Sequence, residues 1–186
     1  MKKLSRGTGI LYRMSGLVPN DVLKKVYFAV VYPYLCYAIV AWGGSGAVNC
    51  SRVTRSHRRA VKLLGSTRNL DYLSSNNLLS FKSIHDYFVL LKMFRTIHQG
   101  NHESLANQLI ELRPVHSYST RFDQTMNFNI PKYNKSTSHR SFLYRGVSLW
   151  NDLPVFLKNC NTFLSFKRKL RDHLRQIQDV SAYLPS

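Results

Sequence analysis

The chain has 186 residues, 44% of them hydrophobic, which is enough for a real core and too apolar for global disorder. Against 27 Lys and Arg stand only 9 Asp and Glu, a formal net charge of +18. A surplus of that size repels itself and is relieved by a polyanion, which puts nucleic acid first and an anionic membrane surface second. Cys36, Cys50 and Cys160 are odd in number and without CxxC spacing, so they give neither a disulfide framework nor a zinc knuckle.

Residues 2–16 read as a short amphipathic helix, with Leu4, Ile10, Leu11 and Met14 apolar and Lys2, Lys3 and Arg6 exposed. Gly7 and Gly9 weaken it. This basic start develops no clean apolar stretch or small-residue cleavage site, so a signal peptide is not expected. A mitochondrial presequence has the same basic, acid-free composition, but here the register runs on into the rest of the chain.

The stretch from Pro19 to Gly46 is the element around which the other segments are organised. Pro19, Asn20 and Asp21 mark a helix start, and Val22, Leu23, Val26 and Ala29 recur at helical spacing. From Val26 to Trp42 there is no charge. That run falls short of the roughly 20 residues of a membrane span. Its tyrosines lie in the middle rather than at two interfaces, and Pro33 bends or splits any helix through it. A buried, Pro-bent core hairpin is the favoured reading, and a membrane anchor the alternative. The turn Gly43-Gly44-Ser45-Gly46 lacks the ending of a phosphate-binding loop.

The next helix, Ser51 to Leu64, segregates its residues. Val53, His57, Ala60, Val61 and Leu64 fall within one arc of roughly 100°. Arg52, Arg55, Arg58, Arg59 and Lys62 occupy the opposite arc, and Gly65 stops the helix. A merely solvated face would mix lysine with glutamate in i,i+4 pairs. No acid occurs between Asp21 and Asp71, so the stripe reads as phosphate-facing.

Ser83 to Gln99 forms another helix with Ile84, Tyr87, Phe88, Leu91, Phe94 and Arg95 tracing a face, and Leu105 to Leu112 adds a turn or two before Pro114. From His116 the texture becomes polar. Brief alternation around Met126–Ile130 and Ser141–Tyr144 suggests two short strands in a small hairpin. GVSLWNDLP is a short helix closed by Pro154. Asn161/Thr162 caps a last helix, with Phe163, Phe166, Leu170, Leu174 and Ile177 inward and Arg168, Lys169, Arg171 and Arg175 outward.

No catalytic constellation emerges. The aspartates are isolated, and His98 and His102 are separated by a helix-breaking Gly100 with no third ligand. No nucleophile motif surrounds a cysteine, and no cofactor or metal is expected. Trp42 and Trp150 read as core. Tyr118 with Arg121, and Tyr144 with Arg145, pair an aromatic with a cation in a polar setting and suit base stacking.

The succession GILYRMSGLVPNDVLKKVYFAVVYPYLCYAIVAWGG, SHRRAVKLL, HSYSTR, SFLYRGVSLWNDLP and FLSFKRKLRDHL resembles the C-terminal part of the reverse transcriptases of non-LTR retrotransposons, jockey- and CR1-like LINE elements among them. The resemblance spans about Leu4 to Leu174, in order. It implies a mainly α fold: a helical thumb-like bundle over 1–113, then a small α+β C-terminal extension over 114–186 with a short hairpin and a terminal helix. It also implies binding of RNA and DNA as a template–primer duplex. Arg52, Arg55, Arg58, Arg59 and Lys62 would touch phosphates, with Tyr118, Arg121 and Arg145, and Lys167, Arg168, Lys169 and Arg171 extending the track. The family's Tyr-x-Asp-Asp turn and its endonuclease are missing, so the chain is expected to be no enzyme on its own. Such a fragment would be a truncated element copy, a gene-model fragment or a host gene derived from one, with a polymerase palm as a candidate partner. An intracellular, nuclear or cytoplasmic place is expected, not secretion. The competing readings are a structural fragment that needs a palm, and a basic membrane-associated protein, which the sequence disfavours.

Overall fold

The computed structural model describes residues 2–65, 73, 76–100, 103–112, 126–135 and 138–178. The fold is mainly helical, with α1 (Lys2–Met14), α2 (Asn20–Val30), α3 (Tyr32–Cys36), α4 (Ile39–Trp42), α5 (Ala47–Lys62), α6 (Phe81–Gln99), α7 (Glu103–Glu111), α8 (Phe142–Asn151), α9 (Val155–Lys158) and α10 (Phe163–Ile177). Among the described residues no strand forms; extended pairing is limited to an isolated bridge between Ser15 and Val18. The chain divides into two compact units, Met1–His85 with Leu174–Ser186, and Asp86–His173. The division expected after residue 113 falls on residues outside the described set.

In the first unit the uncharged run supplies the core. Leu23, Tyr27, Val31, Leu35 and Ile39 recur every four residues and all are buried. They do so along a path that bends twice. Pro33 occupies the first turn of α3, where its missing N–H costs nothing, so α2 ends and a new helix begins. Ala38 then adopts a left-handed conformation, φ 49°, ahead of α4. The run is thus divided into short helices, and none among the described residues is long and apolar enough to cross a membrane.

Helix α1 buries Leu4, Gly7 and Leu11. Ile10, expected on the same face, is instead exposed. Gly7 is where α1 approaches α2: a Cβ built there would lie 2.5 Å from the Val30 carbonyl oxygen. Gly9 has open space around it. Two substitutions of identical chemistry should therefore have opposite signs. Gly7→Ala is expected to destabilise by about 2 kcal/mol through overpacking, and Gly9→Ala to stabilise by about 0.5–1 kcal/mol through helix propensity. Urea unfolding midpoints check both, and equal shifts would contradict the close approach.

In the second unit, Trp150 and Phe166 are fully buried, and Phe94 stacks on Phe166 with ring centroids 4.3 Å apart at 18°. Helix α6 is buried nearly all round: Val89, Leu90 and Met93 join Tyr87, Leu91 and Phe94 in the core, while Phe88, expected on the inner face, is only half-buried. A helix apolar on every side belongs inside, and a single stripe understates it. Thr162 caps α10 as expected, its Oγ1 accepting from Ser165 N at 3.2 Å.

The hairpin does not form. Ser141 is the N-cap of α8, its Oγ accepting from Tyr144 N at 3.3 Å, so Ser141–Tyr144 opens a helix. Met126 is left-handed, φ 53°, and the residues after it form no strand; they are held by side chains and by one backbone bond, from Asn129 N to Leu112 O at 2.8 Å. Asn151 accepts from Phe128 N at 3.0 Å and donates to Phe128 O at 2.8 Å, and Trp150 Nε1 donates to Met126 O at 3.0 Å. The buried Lys158 ammonium donates to Asn127 Oδ1 at 2.6 Å. One amide side chain thus replaces a rung of a ladder. Ile177, expected inward, is also exposed, lying beyond the last buried turn at Leu174.

Candidate nucleic-acid interface

Helix α5 carries the predicted stripe. Val53, His57, Ala60, Val61 and, just past its end, Leu64 are all buried. Arg52, Arg55, Arg59 and Lys62 are exposed, and Arg58 is half-buried at the edge. Spacings of three, four and three residues put the exposed four in one row. At about 1.5 Å rise per residue the row is roughly 15 Å long. A duplex carries a phosphate about every 1.7 Å of its axis, so the row faces more phosphates than it has cations. Among the described residues no carboxylate pairs with Arg52, Arg55, Arg59 or Lys62. Arg59 and Lys62 also lie in the last turn, where the helix dipole favours positive charge.

The inner face holds a polar pair. The Tyr27 hydroxyl and His57 Nε2 share a 2.7 Å hydrogen bond, with the two rings stacked at 6.0 Å. Burial pushes the His57 pKa from 6.5 to about 3. The imidazole is therefore neutral at physiological pH, and α5 carries its charge on the outer face. The turn before the helix is fixed by Cys50, whose Sγ donates to Ser45 O at 3.0 Å and Gly43 O at 3.5 Å. Gly43 is required there, since a Cβ would meet the His85 ring and the Ile39 carbonyl.

The second unit sorts its own candidates. Lys167, Arg168 and Lys169 are exposed on α10. Arg171 is half-buried, its guanidinium 5.4 Å over the Tyr87 ring and 3.5 Å from the Tyr87 hydroxyl. Arg145 is committed internally: its Nη2 and Nε donate to Asp86 Oδ1 at 2.6 and 3.2 Å. That pair is a structural clamp between α6 and α8 within the unit. Arg145→Ala removes a cation from a buried carboxylate and is expected to cost about 2–4 kcal/mol in urea unfolding. Loss of binding without loss of stability would instead put Arg145 at the interface. Tyr144 stacks on His139 at 4.5 Å and 14°, with Tyr133 at 6.2 Å, so its ring already has aromatic neighbours. Tyr118 and Arg121 lie outside the described residues.

Among the described residues no group of three or more His, Cys, Asp or Glu gathers to hold a metal; His102 is outside that set. The exposed Tyr34 and Tyr37 near α5 are residues that sequence spacing passes over as part of the apolar run. Neither a scan against protein-family models nor searches of curated proteins and of solved structures finds a match to this chain.

Proposed function

We propose that the chain is a nucleic-acid-binding module akin to the thumb of a non-LTR retrotransposon reverse transcriptase, gripping a template–primer duplex by its phosphates. The observation that carries this reading is the acid-free row Arg52, Arg55, Arg59 and Lys62 on the solvent face of α5, backed by a neutral, buried inner face. The net charge of +18 and the resemblance of its ordered motifs to that family support it. Contacts of this kind position a duplex without reading its sequence. In the second unit, Lys167, Arg168 and Lys169 are the further candidates. The chain has no polymerase activity of its own in this reading, because the family's paired catalytic aspartates are missing from its sequence.

Fluorescence anisotropy with an RNA:DNA hybrid, titrated across salt, tests it. Neutralising four to six phosphates gives a slope of log K against log salt of roughly −4 to −5. Absence of binding at low salt by folded protein overturns the reading. Nucleotide incorporation on a primed template overturns the non-catalytic part.

A second reading has its own observation. Tyr12 and Leu17 are 71% and 82% exposed. This supports an apolar surface that a palm domain covers, in a fragment with no separate function. A helical far-UV signal without near-UV structure in the purified chain would favour that reading.

A further inference from the structure

The first unit opens a groove of ≈ 900 Å³, lined by Lys2, Lys3, Tyr34, Tyr37, Trp42 and Asn49 among others. Its size lies within the range of about 300–1,000 Å³ typical of small-molecule sites. Three aromatic rings and two ammonium groups meet there, from segments that the Pro33 bend and the left-handed Ala38 bring to α1 and α5. Tyr37 is 80% exposed and Tyr34 46% exposed, although both belong to the run that otherwise builds the core. Trp42 stacks on Phe81 at 5.6 Å and its indole N–H donates to the Tyr37 carbonyl at 2.6 Å, which holds the aromatic wall in place. Lys3 Nζ stands 5.9 Å from the Tyr34 ring centroid.

Exposed rings beside cations are what unpaired nucleotides need: π-faces for the bases and positive charge for the backbone. A purely apolar peptide would leave Lys2 and Lys3 without counter-charge. Asn49 joins the groove to the row, since it lies about one turn before Arg52 on α5. We infer that this groove binds a short single-stranded stretch of nucleic acid, so that a duplex lying along Arg52, Arg55 and Arg59 leads its unpaired end over Tyr37 and Tyr34. The inference rests on the duplex-binding reading of α5, and deepens it by giving the overhang a place.

The test compares three probes by anisotropy: a blunt RNA:DNA hybrid, the same hybrid with an unpaired template overhang, and the free single strand. Wild-type protein is expected to bind the overhang probe about 10-fold tighter than the blunt one. Tyr37→Ala should abolish that preference and leave blunt binding unchanged, while Tyr37→Phe keeps it. Arg55→Glu should weaken both hybrids and leave their ratio intact. Equal binding of blunt and overhang probes by wild type, or a preference that survives Tyr37→Ala, overturns the groove and leaves the α5 row standing. If neither hybrid binds, the α5 reading fails, and the groove is judged on the single strand: binding that Tyr37→Ala reduces supports it, and absence of binding overturns it. Tyr37 is exposed, so its substitution should leave the thermal midpoint unchanged.

Discussion

Replacing Arg55 and Arg59 together by glutamate is expected to weaken binding of an RNA:DNA hybrid on the order of 100-fold at low salt and to make the salt slope shallower by about two. Both side chains are exposed on α5, away from Val53, His57, Ala60 and Val61, so the core is untouched. The cost to the fold is limited to the unfavourable charge that Arg59→Glu places at the helix C-terminus, about 1 kcal/mol or less. The proper control alters net charge by the same amount elsewhere. Lys132 and Lys135 are also exposed, and Lys132→Glu with Lys135→Glu should cost far less affinity. If the two pairs behave alike, the protein binds through diffuse charge, and the row on α5 has no special part.

The second large effect is on stability in acid. The His57 imidazole titrates near 6.5 when unfolded and near 3 in its buried site against Tyr27. Between those values the unfolded chain binds a proton that the folded chain refuses. The stability contributed by keeping His57 neutral is therefore complete above pH 6.5 and is lost as pH falls towards 3. The loss is roughly 1.4 kcal/mol per pH unit. Acid unfolding usually comes from carboxylates, but this chain has only 9 of them, so the fully buried His57 should contribute a large part of the profile. Urea unfolding from about pH 7 to about pH 4 should show a steep decline in the wild type. His57→Gln should be less stable at neutral pH and decline less steeply over the same interval, the remaining slope including His98, whose pKa burial also lowers. Parallel profiles would show that the histidine does not carry the acid sensitivity.

Legibility in the sequence tracks the clarity of each signal. Helix α5 is readable because its charges and apolar residues separate cleanly at the helical period and no acid blurs them. The bend at Pro33 is readable because proline leaves little choice. For α6 a single expected face is too narrow, since Val89, Leu90 and Met93 lie between the residues of that face and are buried as well. The Ser141–Tyr144 alternation looks like a strand because its two-residue period competes with a capping serine, and the cap prevails. Phe128 needs no partner strand once Asn151 supplies both hydrogen bonds, and no local pattern announces such a substitute. The same holds for Arg145 and Asp86, which meet across a separation of 59 residues. The groove is invisible in the sequence for a related reason. Lys2, Tyr37 and Asn49 belong to different segments, and only the backbone turns at Pro33 and Ala38 gather them.

Whether α5 meets phosphate can be measured residue by residue, by arginine-selective modification with phenylglyoxal read by mass spectrometry. With an RNA:DNA hybrid bound at low salt, Arg52, Arg55 and Arg59 should be protected, and high salt should release them. Arg145, already held by Asp86, should react slowly with or without the hybrid. Protection confined to other arginines, or unchanged reactivity of the α5 row when the hybrid is bound, would contradict a phosphate-binding role for this helix.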